Sequence, residues 1–84
     1  MEENIIVKYE ERAKAFAKSY GENVSDHIAH VMASAMMTRD NVFQGGSFVE
    51  AVVENDLYQA ISRADPAVLA NIRIIVLAYQ FAKI

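Results

Sequence analysis

The chain has no cysteine and no tryptophan, and only one proline and three glycines in 84 residues. Without cysteine there is no disulfide scaffold, no zinc finger and no thiol nucleophile. So little proline and glycine excludes a loop-rich β-sandwich, a collagen-like repeat and a flexible linker. Positive charge is also scarce. Eight Lys and Arg against eleven Asp and Glu leave a net charge of −3, not the basic footprint that duplex DNA requires, so nucleic acid is not an expected partner. Long apolar runs are missing too. The longest, 74–82, is interrupted by Gln80 and falls far short of the roughly 20 residues that span a bilayer, so no membrane partner is expected. The start, Met1-Glu2-Glu3-Asn4, is acidic where a secretory signal is basic. A cytoplasmic location is the default expectation.

What is abundant is apolar side chain, at 54% of residues. The length supports one domain, 1–84. A chain this short buries only about 60–65% of its unfolded surface, so part of that apolar content is expected to stay exposed. A second copy or another protein would cover it.

The pattern predicts an all-α fold, a small bundle of about four helices that self-associates. In residues 4–20, Ile6, Tyr9, Ala13, Phe16 and Tyr20 recur at steps of three and four, the mark of one helical face. Glu10 and Lys14 stand at i, i+4, and Gly21 suits the position past the helix end. A second helix is expected over 24–38, capped by Asn23, with Val24, Ile28, Val31 and Ala35 along one side. Gln44-Gly45-Gly46 reads as the one flexible hinge. Ser47-Phe48-Val49-Glu50 matches the capping box and predicts a third helix over 48–64. Its expected inner face carries Val49, Val52, Val53, Leu57, Ala60 and Ile61. Asp65-Pro66 stops that helix and opens a fourth over 67–83, apolar nearly all round. Such a helix is expected to be central, or shared between subunits. Residues 72–81 are also rich in β-branched and aromatic types, so an α+β fold with a C-terminal strand is the alternative.

Chemistry is thin. His27 and His30 stand at i, i+3, but two ligands do not make a zinc site and His-Glu-x-x-His is absent; they read as surface groups, His30 beside Asp26 and His27 half-buried. No serine lies in a Gly-x-Ser-x-Gly elbow. Glu50 and Glu54 look solvated rather than perturbed. Walker A and Gly-x-Gly-x-x-Gly patterns are both missing. The chain is therefore not expected to be an enzyme, nor to hold a metal or cofactor. Met32 and Met36 read as core, and Met37 as an exposed contact. The best ligand-binding material is Arg39, Arg63 and Arg73 with Tyr79 and Lys83, because guanidinium forks grip phosphate and tyrosines stack on bases. Arg73 stands out inside an otherwise apolar helix.

The segment 45–65, with Gly45-Gly46, Phe48, Ala51-Val52, Asn55-Asp56-Leu57, Ala60 and Arg63-Ala64-Asp65, resembles a stretch in small proteins encoded by bacteriophages and prophages. The resemblance covers about a quarter of the chain and carries no activity. It implies a mobile-element origin and an accessory role, such as interference with host defence or regulation. The expectation is a non-enzymatic protein that self-associates and occludes a host protein. One alternative is an oligomer sequestering a small phosphorylated ligand of the nucleotide-signal class through Arg73, Tyr79 and Lys83. Another is a small DNA-binding regulator.

Overall fold

A computed structural model describes residues 2–84, with side chains from Ile5 onward. Met1, the first residue of the acidic start, lies outside them. The described residues form six helices and no strand. They are α1 (Glu2–Ser19), α2 (Asp26–Arg39), α3 (Ser47–Val53), α4 (Leu57–Arg63), α5 (Pro66–Ala70) and α6 (Ile72–Phe81). The expected count of four is corrected to six because two helices are each broken at an asparagine. The strand alternative falls, since 72–81 is helical.

Three of the helix ends share one mechanism. After α1, α2 and α3 the chain turns through a residue at positive φ: Gly21 (76°), Asn41 (60°) and Asn55 (59°). At each, two backbone N–H groups fold back onto the last-turn carbonyls. Past α1 these are Gly21 to Lys18 at 2.9 Å and Glu22 to Ala17 at 3.0 Å. Past α3 they are Asn55 to Val52 at 3.0 Å and Asp56 to Ala51 at 2.8 Å. This is the Schellman closure, which satisfies carbonyls a helix end leaves free. Asparagine tolerates the left-handed region better than other non-glycine residues, so Asn55 ends the expected 48–64 helix. Asp56 at once caps the next, accepting from the Gln59 N–H at 3.2 Å. The second break, at Asn71 (φ −117°, ψ 18°), divides the expected 67–83 helix. There the Asn71 amide donates to the Ala67 carbonyl at 2.8 Å.

Helix starts also differ from expectation in two places. Ser25, not Asn23, caps α2, accepting from the Ile28 N–H at 3.2 Å. At α3 the cap is Gly46, with no side-chain hydrogen bond, and the Ser47–Glu50 box does not form because Ser47 is already helical. The preceding glycine is pinned rather than hinged. Gly45 N–H donates to Thr38 Oγ1 at 2.9 Å, and that hydroxyl donates to the Ser34 carbonyl at 2.7 Å. A Cβ on Gly45 would lie 2.6 Å from Val49 Cγ1, so the loop presses directly onto α3. At α5, Asp65 caps as expected, accepting from Val68 N–H at 2.8 Å, with Pro66 in the first turn.

The central helix is α2, not the C-terminal one. It packs against α1, α3 and α6, and α5 reaches it more lightly. Eight of its fourteen residues are buried, from Ile28 through Met37. Its alanines let neighbours close in on several sides, while Ile28, Met32 and Met36 fill the gaps. Each such side chain contributes about 1.5–3 kcal/mol by leaving water. Met37, expected as an exposed contact, belongs to this core at 1% exposure. From α1 come Tyr9, Ala13, Phe16 and Ala17, and from α6 Ile74, Ile75 and Ala78. The C-terminal helix thus buries one side only.

A polar clamp closes one end of the bundle. Tyr9 of α1 donates to Asp40 at 2.8 Å. Arg39 grips the same carboxylate, Nε to Oδ1 at 2.8 Å and Nη2 to Oδ2 at 3.1 Å. Its Nη1 donates to the Tyr79 carbonyl at 2.8 Å, where the C-terminal end of α6 carries partial negative charge. Arg39 holds the Asp40 carboxyl below the usual carboxylate range, and the Tyr9 hydroxyl adds to this against the opposing effect of burial. Burial, then the bond to Asp40, raises the Tyr9 hydroxyl.

Candidate interaction surface

The break at Asn55 decides what α4 presents. Restarting at Leu57, the seven-residue helix docks mainly on α3. Of its residues only Ala60 is buried. Leu57 is 63% exposed, Tyr58 85% and Ile61 45%. Leu57 and Ile61, both expected on an inner face, are one turn apart and share an outer stripe. An unbroken helix would carry Val49 and Leu57 in one register, whereas the Schellman turn resets it.

Leu57 also lines a cleft of about 320 Å³ between α3–α4 and α6, together with Val52, Ala60, Ile72, Val76 and Tyr79. Around the end of α3, Val53 links this cleft to a second of about 510 Å³, lined by Val42, Phe43, Glu50 and Glu54. Val42 and Phe43 in turn border a third, of about 220 Å³, with Ile5, Ile6 and Met37. Shared wall residues join the three into a track that is mainly apolar in the first and third clefts and broken in the second by Thr38, Asn41, Gln44, Glu50 and Glu54. Its walls carry three carboxylates, Glu50, Glu54 and Asp56, and no Lys, Arg or His. None of the three forms an ion pair among the described residues.

The residues singled out for ligand binding do not gather. Arg39 is committed to the clamp. Arg63 donates to the Ser47 carbonyl at 3.0 Å, tying α4 back to the start of α3. Arg73 is exposed and faces Glu22 at 3.9 Å, near the first turn of α6. Lys83 lies beyond the opposite end of that helix, where its carbonyl accepts from Arg12 at 2.7 Å. Only Tyr79 reaches the apolar track. Within one chain, then, no phosphate cradle is assembled from these five.

The histidines take partners on other elements. His30 meets Glu10 at 2.7 Å and His27 meets Asp65 at 3.1 Å. Asp26, expected beside His30, pairs instead with Lys14 at 2.6 Å, which displaces the expected Glu10–Lys14 contact. Lys14 and the Asp26 carboxylate each favour the other's charged form. The His27 side chain is about half exposed, at 53%. Both rings border a cleft of about 350 Å³ with Ser34, Ser47, Arg63 and Asp65. Among the described residues no three His, Asp or Glu side chains converge in a metal-binding group, and no helix is long and apolar enough to cross a membrane.

Pattern reasoning missed the exposed stripe of α4. The signal was present in Asn55-Asp56, a helix-stopping residue followed by a capping one. Comparison with known family models, characterised proteins and solved structures finds no match.

Proposed function

We propose that this chain is a non-enzymatic interaction protein whose α4 stripe and α4–α6 cleft are covered by another polypeptide. The observation that carries this reading is that a short helix turns Leu57, Tyr58 and Ile61 to solvent while burying only Ala60. Contiguous exposed apolar surface rimmed by polar groups marks interaction sites, and aromatic anchors dominate their energetics. The likeness of 45–65 to phage-encoded proteins supports a host protein as partner, with occlusion of a defence or regulatory surface as the consequence. Self-association through the same face is the other way to cover it. The nucleotide-sponge and DNA-regulator readings draw no support from the scattered cations.

The test compares the native chain with a variant carrying Leu57→Asp and Ile61→Asp as baits in a host lysate. Because both positions face solvent, the variant is expected to keep its circular dichroism melt. The proposal expects proteins held by the native bait to be lost from the variant. Identical capture by both baits would remove this face from the function.

A further inference from the structure

The apolar track is one-sided in charge. Asp56 borders the α4–α6 cleft, where its carboxylate also caps α4, and Glu50 and Glu54 line the adjoining cleft around the end of α3. No cationic side chain lines either cleft, and the three carboxylates have no ion-pair partner among the described residues. The nearest cation on the same pair of helices, Arg63, is turned onto the Ser47 carbonyl. On α1, whose Ile5 and Ile6 border the third cleft, Lys14 is paired with Asp26 and Arg12 reaches the Lys83 carbonyl. The face combines apolar pockets with unbalanced negative charge.

Resting on the interaction reading above, we infer that the occupant of the α4–α6 face is a basic amphipathic helix of a partner protein. Its apolar stripe seats against Leu57, Val76 and Tyr79, and its Lys or Arg flank meets Glu50, Glu54 and Asp56. Three observations select this occupant. The cleft lies between helices, and no described residue offers a strand edge on which a peptide could extend a sheet, so the helix-in-groove mode applies, with anchors at i, i+3 or i+4, and i+7. A segment of about 12 residues, about 18 Å long, supplies those anchors. The charge on the walls then fixes the sign of the flanks, because complementary potentials steer encounter and like charges reject the wrong partner.

A second copy fits less well. Two-fold pairing sets the same patch against itself, so the carboxylates of one copy would find no Lys, Arg or His among the wall residues of the other. The chain's own α1, with four Lys or Arg against four Glu and so no net charge, cannot serve in trans either. Its apolar side, Tyr9, Ala13, Phe16 and Ala17, is already spent in the core.

The test titrates the isotope-labelled protein with three synthetic peptides, followed by amide NMR shifts at low and at physiological salt. One is a Leu–Lys peptide with leucines on a single helical face. The second is the same composition shuffled so that the leucines do not share a face. The third is the Leu–Glu counterpart of the first. The expected result is saturable shifts on α3, α4 and the outer side of α6 with Leu–Lys, weakening as salt rises. Affinity should exceed that for Leu–Glu by about tenfold, three rim pairs of modest worth each. Replacing Glu50→Lys and Glu54→Lys together, at exposed positions, should erase that preference without loss of fold. Equal binding of Leu–Glu on this face would overturn the charge assignment while leaving the interaction reading intact. Equal binding of the shuffled peptide, shifts located elsewhere, a dimer that buries this face, or no binding by any peptide would each overturn the inference. The interaction reading fails separately, when lysate capture is indifferent to Leu57 and Ile61.

Discussion

Helices α2 and α4 are both rich in apolar side chains, and the fold treats them in opposite ways. In α2 large and small residues alike are enclosed, because alanines at 29, 33 and 35 let neighbouring helices approach from several sides. In α4 the one small residue, Ala60, faces inward and the large ones face out. The difference lies in neighbours and length. Fourteen residues at the centre of the bundle have a packing partner in most directions, whereas seven residues held between the Asn55 turn and the Asp65-Pro66 stop touch little beyond α3. Apolar composition alone does not say which residues are buried. The chain breaks before and after a helix decide which way it is turned.

The comparison breaks most visibly in the core. Met36→Ala, in the centre of α2 at 0% exposure, should cost about 2–5 kcal/mol, read as a lowered urea midpoint; a loss under about 1 kcal/mol would mean that α2 is not enclosed. Next comes the loop that seats α3. Gly45→Ala drives a methyl into Val49 and should cost about 1–3 kcal/mol through overpacking. A neutral result would restore the hinge reading of that glycine.

The clamp gives a pH-dependent effect. Asp40 is held below its ordinary range in the folded state, and free carboxyls of this type titrate near pH 4. Its contribution is therefore complete above about pH 4 and is lost as pH falls through the depressed value. Asp40→Asn should cost about 1 kcal/mol at neutral pH and flatten the acid limb of the stability profile, as urea midpoints across that range would record. The smallest effect belongs to α4. Leu57→Ala, at a mostly exposed position, should shift stability by no more than about 0.5 kcal/mol, while weakening partner capture.

Much of the fold was legible because its signals are local. The all-α class follows from the steps of three and four in residues 6–20 and from the Asp65-Pro66 pair, and α1 and α5 begin or end where those signals stand. What was not legible depends on competition between local signals. Asn55-Asp56 lay inside the expected 48–64 helix, yet a left-handed asparagine followed by a capping aspartate makes a stop and a start. Ser47-Phe48-Val49-Glu50 had the form of a capping box, but the pinning of Gly45 starts the helix one residue earlier. Residues 67–83 are more apolar than α2, but rank in hydropathy does not choose the centre. The alanines of α2 do, by allowing close approach. The candidate site was hidden for the same reason: Leu57 and Ile61 fit an inward face until the break resets the register. Arg39 and Arg63 looked like ligand groups because sequence carries no sign of the carbonyls and carboxylate they reach.

The central claim, that α4 keeps its large apolar residues in water while α2 hides its own, is tested most directly by methyl NMR with a soluble paramagnetic agent in dilute solution. The account predicts strong relaxation enhancement at the Leu57 and Ile61 methyls and none at Ile28 and Ile75. Protection of Leu57 and Ile61 equal to that of Ile28 would contradict it.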